Sequence, residues 1–130
     1  MNDNSFVISK TTRNGTPKGV PFQRIKEMVL GKHYALSLVF IGERRAKALN
    51  AKYRQKDYVP NVLAFPLSKS EGEIFICTKK AICDAPKFNM SSRAFICYLF
   101  IHGLLHLKGY AHGSKMNVVE RKLIKRLELV

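Results

Sequence analysis

The chain has 130 residues, 46% of them hydrophobic, and it carries 23 Lys and Arg against 9 Asp and Glu, a formal net charge of +14. These totals exclude a disordered chain and favour one globular domain over residues 1–130, large enough to bury a core. So strong a positive charge indicates an anionic partner, and we expect nucleic acid rather than an anionic membrane surface. The alternative is a protein that is basic without such a partner.

Spacing of the apolar residues predicts short strands and helices in irregular alternation. In chain order we expect an edge strand at 6–8, a helix between Pro21 and Gly31, a buried strand at 36–41, a helix at 43–53, a strand at 62–65 stopped by Pro66, a connecting loop at 67–72, a strand at 73–77, a short helix at 79–85, a long helix from Ser91 or Ser92 to 107, and a last helix capped by Ser114. This order favours an α+β fold, a small sheet packed against helices.

The two helices that end the chain differ in composition. Residues 94–107 are apolar nearly all round, which is typical of a buried central helix. The last helix is amphipathic, with an expected inner stripe of Met116, Val119, Leu123 and Leu127. Its outer side is basic, as is the outer side of the helix at 43–53, so the segments 44–56 and 115–126 are candidate surfaces for a nucleic-acid backbone.

Cysteine usage and the termini bear on the compartment. The three cysteines, Cys77, Cys83 and Cys97, cannot complete a disulfide framework, and none forms a C-x-x-C pair. Cys77 and Cys97 lie in apolar runs, so we expect buried, reduced thiols. No signal pattern opens the chain, and its longest apolar run is shorter than the about 20 residues that span a bilayer. We therefore expect a cytoplasmic protein without a membrane partner.

Three of the four histidines lie between residues 100 and 112. His102 and His106 are four residues apart, so they lie one above the other on a helix face. Gly109 can take a positive φ and end the helix, which lets the chain turn and bring His112 toward them. Three converging imidazoles favour a divalent metal, zinc first, with nickel or copper also acceptable. The alternative is that one or two of them are buried histidines hydrogen-bonded to backbone.

Two further residues bear on the chemistry of such a site. Zinc with an open fourth position favours hydrolysis. The His-Glu-x-x-His helix of metallopeptidases has a general base after its first ligand, but Gly103 stands there, which argues against peptide cleavage. Gly103 instead allows a strand or a substrate backbone to pass close to the helix. The guanidinium of Arg54 matches phosphate geometry, although taken alone Arg54 is expected to be a solvated basic residue.

Several segments resemble the YbeY family of bacterial and organellar rRNA-maturation endoribonucleases. The family motif His-Gly-x-Leu-His-Leu-x-Gly-Tyr/Phe-Asp-His matches residues 102–112. Its patterns Leu-Asn-x-x-Tyr-Arg-x-x-Asp and Val-Leu-Ser-Phe-Pro match residues 49–57 and 62–66, and its strand Leu-Gly-Asp-Ile-x-Ile-Cys matches residues 72–77 from its Gly onward. The resemblance extends from about residue 36 to residue 125. This chain differs from the family in Ala64 for Ser, Glu73 for Asp and Ala111 for Asp.

The resemblance implies a zincin-like α+β fold with a mixed sheet of about four strands. It implies one zinc ion on His102, His106 and His112, and Arg54 as the essential basic residue facing the metal across a cleft. The implied activity is metal-dependent cleavage of single-stranded RNA, in maturation of the 3′ end of small-subunit (16S) ribosomal RNA and in ribosome quality control. Ribosomal RNA, ribosomal proteins and assembly factors are the implied partners.

The departures from the family pattern leave the chemistry incomplete. A carboxylate at position 111 could orient a ligand histidine or move a proton, and Ala111 lacks it. Ala64 removes one hydrogen bond near the cleft. We assign the general base to no residue, neither to Glu73 nor to Glu120.

Two alternative functions follow. The first is a non-catalytic RNA-binding factor in ribosome assembly whose zinc is structural, with Cys77, Cys97 or a carboxylate as the fourth ligand. The second is a metallopeptidase or another metal hydrolase. Gly103 and the net charge of +14 argue against the second.

Overall fold

The computed structural model describes residues 5–12, 16–111 and 113–126. His112 and Leu127, for which the sequence makes predictions, lie outside these ranges. The elements, in chain order, are β1 (Phe6–Lys10), α1 (Phe22–Leu30), β2 (Ala35–Ile41), α2 (Glu43–Arg54), β3 (Val62–Ser68), β4 (Glu71–Cys77), α3 (Thr78–Asp84), a short 3₁₀ helix (Ala85–Phe88), α4 (Ser92–Lys108) and α5 (Ser114–Arg126).

The strands form a four-stranded mixed sheet in the order β1-β2-β4-β3. β1 and β4 run parallel to β2, whereas β3 runs antiparallel to β4. The predicted α+β fold with a mixed sheet of about four strands is therefore confirmed, as is the edge position of β1. β3 is the other edge strand, and this position matters for the cleft described below.

Both faces of the sheet are covered, as the continuous apolar run of β2 predicts. Alternate residues of β2 and β4 point to opposite faces. Leu38 and Ile74 belong to the larger core with α1, α4 and α5, whereas Phe75 and Cys77 belong to a smaller core under α2. The prediction of buried, reduced thiols is confirmed, because Cys77 and Cys97 are buried and form no disulfide.

The expected end of β3 at Pro66 and the expected loop at 67–72 are wrong. β3 continues through Pro66 to Ser68, turns at 69–70 and pairs with β4 from Glu71, with a register shift between Pro66 and Ser68. Proline cannot donate a hydrogen bond to a sheet, but an edge strand tolerates it because only one side of the strand is paired. The sequence alone did not place β3 at the edge.

α4 is the predicted central helix. The Ser91 hydroxyl accepts a hydrogen bond from the Ala94 N–H at 3.1 Å and caps its first turn. Gly109, at φ +109°, ends it, and its N–H donates to the carbonyl of His106. No single helix in the described ranges is long and apolar enough to cross a membrane, although the bent pair 78–88 and 92–108 passes that test by length and composition when counted together.

The buried stripe of α5 differs from the predicted one. Met116, Glu120 and Ile124 are its buried residues, while Val119 and Leu123 are only partly buried. After Met116, the buried stripe is thus displaced by about one residue from the predicted one, and it includes the carboxylate of Glu120. The basic outer side is confirmed, because the predicted basic residues are exposed: Lys115, Arg121, Lys122, Lys125 and Arg126.

Two glycines set the distance between α4 and the sheet. A Cβ on Gly103 of α4 would lie 3.0 Å from Ile74 Cδ1 on β4. A Cβ on Gly72 of β4 would lie 2.5 Å from the Tyr34 hydroxyl and 2.9 Å from Leu107 Cδ2. The close neighbour that Gly103 admits is therefore a strand residue. These contacts fix the height of the histidine-bearing helix above β4.

We expect Gly72→Ala to destabilise the protein by about 1–3 kcal/mol, because an added methyl group overpacks a filled site. Thermal or denaturant unfolding measures the loss. The matched background is Tyr34→Phe, which removes the nearest atom, a buried hydroxyl that makes no hydrogen bond with the described residues. Gly72→Ala should lower the free energy of unfolding by less in the Tyr34→Phe background than in wild type. Equal costs in both backgrounds would contradict the assigned contact.

Candidate active site

A cleft of about 940 Å³ runs between α4 and the edge strand β3. Two of the predicted site histidines and Arg54 line it together. Its lining residues are Glu43, Arg54, Tyr58, Val59, Pro60, Asn61, Val62, Ala64, Pro66, Lys80, Asp84, His102, Gly103 and His106. The structure thus brings together residues that are 48 to 52 positions apart in the sequence.

The two histidines of α4 face each other across one helical turn. His106 Nε2 lies 3.2 Å from His102 Nε2, and His102 Nδ1 lies 2.7 Å from Glu120 Oε1. A carboxylate accepts hydrogen bonds, so we assign the Nδ1 proton of His102 as the one donated to Glu120. This tautomer leaves the Nε2 lone pair of His102 directed toward His106. An orienting carboxylate of this kind is the usual partner of a histidine that binds a metal.

The spacing of the two Nε2 atoms fits a shared metal ion. Two nitrogens, each about 2.0–2.1 Å from a tetrahedral zinc ion, lie about 3.3 Å apart, close to the separation seen here. Within residues 5–12, 16–111 and 113–126, no three His, Cys, Asp or Glu side chains form a complete metal site. The predicted third ligand, His112, lies outside these residues, so its role stays a prediction.

Glu120 is held from two sides. Only 2% of its surface is exposed, and besides His102 it accepts a hydrogen bond from the Tyr98 hydroxyl. Burial, together with the charge of Glu120 and this hydrogen bond, raises the pKa of Tyr98 to about 12. Tyr98 therefore remains a hydrogen-bond donor at physiological pH. Glu120 thus brings a carboxylate from α5 to His102, whereas the exposed Ala111 brings none.

Arg54 is the last residue of α2 and lines the same cleft as the two histidines. A basic residue there interacts favourably with the helix dipole, by about 0.3–1 kcal/mol, which alone could account for an arginine at this position. However, the other charged residues of the cleft lining have partners: Glu43 lies 3.3 Å from Lys79, and Lys80 lies 3.3 Å from Asp84. Within the described ranges, the Arg54 guanidinium has no ion pair or hydrogen bond. It is exposed and available to an anionic ligand.

Asn50 fixes the loop that follows Arg54. Its carbonyl accepts hydrogen bonds from the N–H groups of Gln55 and Lys56, and its Nδ2 donates to the Tyr58 carbonyl at 3.0 Å. Asn50 is fully buried although it is polar. It therefore positions one wall of the cleft, a role that the sequence analysis missed.

A second buried carboxylate, Asp84, also lines the cleft. Asn61 Nδ2 donates to it at 3.1 Å, and Lys80 and Lys87 approach it at 3.3 and 3.2 Å. Burial alone would raise the pKa of Asp84, but the hydrogen bonds from Lys87, Lys80 and Asn61 outweigh it and lower the pKa below its usual value. The sequence analysis did not identify this cluster.

The remaining residues singled out in the sequence lie apart from the histidines. Glu73 alternates with Ile74, so its side chain is on the sheet face opposite α4. Cys77 belongs to the core on that same face, and burial raises the pKa of the Cys97 thiol to about 12. Neither cysteine forms a three-residue metal cluster in the part of the chain described. Ala64 lines the cleft, as expected for its motif position.

Comparison with known proteins shows the family to which the chain belongs. The family model described as Endoribonuclease YbeY matches residues 6–128. The chain belongs to the YbeY endoribonuclease family. The match extends beyond the residues 36–125 over which the sequence motifs resemble the family, and it includes β1, α1 and α5.

Individual relatives agree with this assignment. An endoribonuclease YbeY from Spiroplasma citri is 35% identical over 127 residues and covers 83% of this chain and 80% of its own. One from Phytoplasma mali is 40% identical over 102 residues and covers 72% and 69%. The solution structure of TM1509 from Thermotoga maritima superposes with a TM-score of 0.62 at 26% identity, covering 92% of this chain and 87% of that one. The YbeY-family assignment from sequence is confirmed.

We expect Asp84→Asn to lower the free energy of unfolding at pH 7 by about 1–3 kcal/mol, since it weakens hydrogen bonds to a buried charged group. Because the folded pKa of Asp84 is lowered, its stabilisation is complete above the unfolded pKa of about 3.9 and is lost as the pH falls through the folded pKa. The gap between wild type and variant should therefore narrow below about pH 4.

Denaturant unfolding between pH 7 and pH 3 measures this gap. Asp57→Asn is the matched control, since that side chain is 94% exposed and lies 3.7 Å from Lys47, so its removal should have no measurable effect. A gap for Asp84→Asn that stays constant to pH 3 would contradict the assigned role.

Proposed function

We propose that this chain is a metal-dependent endoribonuclease that cleaves single-stranded RNA. The observation that supports this most directly is a single cleft lined by His102, His106 and Arg54, with the guanidinium unpaired among the described residues. The net charge of +14 favours a polyanionic substrate. Membership of the YbeY endoribonuclease family favours RNA.

The proposed roles follow from the chemistry of each side chain. His102 and His106, with His112 as the predicted third ligand, would hold one divalent ion, zinc first and nickel or another metal as alternatives. A bound ion of this kind supplies Lewis acidity for phosphodiester hydrolysis. Arg54 binds the phosphodiester through paired N–H donors and stabilises the charge that develops on it in the transition state. The basic segments 44–56 and 115–126 hold the flanking backbone.

The proposed biological substrate is ribosomal RNA. We infer from the family that the chain acts in the cytoplasm on the 3′ end of small-subunit (16S) ribosomal RNA and in ribosome quality control, with ribosomal proteins and assembly factors as partners. A substrate embedded in a ribosomal particle suits an open cleft at a sheet edge, because a single strand can enter it from the side.

Substitutions at His106 and at Arg54 should separate metal binding from RNA cleavage. His106→Ala should lose both the bound metal and RNA cleavage. Arg54→Ala should retain the metal but lose about 10²–10³-fold in kcat, as is typical when one electrostatic stabiliser of a transition state is removed. Metal content by mass spectrometry and cleavage of single-stranded RNA, with and without chelator, measure these effects.

Matched controls are available within the chain. His33→Ala removes an exposed histidine outside the cleft, and Arg24→Ala removes an exposed arginine of α1 that lies outside both the cleft lining and the basic segments 44–56 and 115–126. Both should behave like wild type. Stoichiometric metal and full cleavage in His106→Ala would refute the proposal. A casein-like substrate assayed in parallel tests for peptidase activity, which Gly103 and the basic charge argue against.

A second candidate function is a non-catalytic RNA-binding factor in ribosome assembly that contains zinc. Ala111 favours it, because the family has a carboxylate at that position. Wild-type protein that binds metal and RNA but leaves RNA intact would support this candidate. Chelator-sensitive cleavage would exclude it.

Glu120 is a positioning residue in this proposal, since it orients His102 rather than contacting substrate. Glu120→Ala should weaken metal binding about 10–100-fold, the usual cost of losing the hydrogen-bond partner of a ligand histidine. Glu120→Gln should recover part of the affinity, because the amide oxygen still accepts the Nδ1 proton. Competition with a chromophoric chelator measures the affinity without reference to catalysis.

The exposed Glu71 provides the control variant, Glu71→Gln, which should bind metal as wild type does. Thermal unfolding of each metal-free variant separates a change in affinity from a loss of fold. Wild-type affinity in a folded Glu120→Ala variant would refute the orienting role.

A further inference from the structure

Tyr58 is an exposed aromatic residue of the cleft lining. It lines the cleft with Arg54, 52% of its surface is exposed, and among the described residues its ring contacts neither another ring nor a cation. Tyr53 differs although it is equally exposed, at 55%. Its ring lies 5.5 Å from that of Phe65, with Lys52 Nζ 5.2 Å from its centroid. Of these two tyrosines, only Tyr58 offers a ring to a ligand in the cleft.

The backbone that carries this ring is fixed before any ligand binds. Asn50 donates a hydrogen bond directly to the Tyr58 carbonyl, and two N–H groups at the start of the loop donate to the Asn50 carbonyl. Pro60, two residues after Tyr58, is buried. A tyrosine on such a backbone has few rotatable bonds to immobilise, so a ligand loses little affinity to ordering it.

The position of the ring limits the chemistry of the ligand. Tyr58 follows Arg54 by four residues, and both line the cleft. The planar apolar ring of Tyr58 and the unpaired guanidinium of Arg54 therefore belong to the same wall of the cleft, which is formed by the end of α2 and the loop after it. A ligand that satisfies both has a flat face close to a phosphate. The cleft, at about 940 Å³, lies within the range of sites that enclose a whole organic ligand. A nucleotide unit of an RNA strand has this chemistry.

We propose that Tyr58 is a stacking platform for one unpaired base of the RNA, beside the phosphodiester bound by Arg54. This inference rests on the proposed function and extends it to substrate selection. A base in a duplex is already stacked and paired, so it reaches the ring only after it leaves the helix. Stacking accepts any base, since each has a π-face. Tyr58 thereby selects single strands without selecting sequence.

The chain contains no tryptophan, so Tyr58→Trp introduces a unique fluorophore at the proposed contact. Titration of the metal-loaded variant with oligouridylate should quench its fluorescence. The same sugar-phosphate chain without bases, and a duplex of equal length, should leave the fluorescence largely unchanged. The control is Phe88→Trp, which places the fluorophore at an exposed aromatic position outside the cleft lining and outside the segments 44–56 and 115–126, and it should respond to none of the three. Quenching by the abasic chain equal to that by oligouridylate would overturn the proposal.

Affinity and kinetics provide the second measurement. Tyr58→Ala should weaken oligouridylate binding at least about 5-fold, the equivalent of about 1 kcal/mol at the lower end of the stacking range per base. It should raise KM more than it lowers kcat, and it should bind the abasic chain as wild type does. Tyr58→Phe, which keeps the ring, should stay within about twofold of wild type, and thermal unfolding confirms that each variant is folded.

The two proposals fail in different ways. If wild type cleaves RNA but Tyr58→Ala matches it in affinity and KM, the stacking role is refuted and the nuclease assignment stands. If wild type does not cleave RNA but Tyr58→Trp is quenched by bases alone, the nuclease assignment is refuted and the stacking role stands.

Discussion

The burial of α4 is the constraint on which the rest of the structure depends. Nine of its residues are buried, and it lies so close to β4 that a Cβ on Gly72 would clash with Leu107 and a Cβ on Gly103 would crowd Ile74. A helix packed on nearly all sides can expose few residues, and His102 and His106 are partly exposed at the cleft. The same packing that stabilises the core therefore holds the two imidazoles at a fixed spacing. The contacts between α4 and β4 therefore determine both the stability of the fold and the spacing of the two histidines. A substitution in this interface affects both.

Much of the fold could be predicted because the chain is locally consistent. The all-round apolar composition of α4, its serine cap and its terminal glycine each indicate the same helix, and the structure has it at those residues. The failure at Pro66 has a physical reason. Whether a strand tolerates proline depends on whether it is at an edge, and strand order is a property of the assembled sheet. Local pattern carries no information on that order.

The site was only partly predictable for the same reason. Spacing along one helix brought His102 and His106 together, and the family resemblance added Arg54 from a distant segment. Glu120 carried a weaker signal, since it is a carboxylate four residues from both Met116 and Ile124 on a buried stripe. Its partner could not be named, because the angle at which α5 crosses α4 is set by packing. The role of Asn50 could not be predicted either, because a buried amide is recognised only by the loop to which it is hydrogen-bonded.

Pro66 has a consequence for what the cleft excludes. β3 forms one wall, and its outer edge is not paired with another described strand. Such an edge commonly recruits an extended peptide, which adds to the sheet through backbone hydrogen bonds. A proline, which has no N–H, and the adjoining register shift interrupt the ladder that a peptide would need. The wall is thus a poor template for protein chains, including other copies of itself, while a nucleic acid, which requires no such ladder, is unaffected.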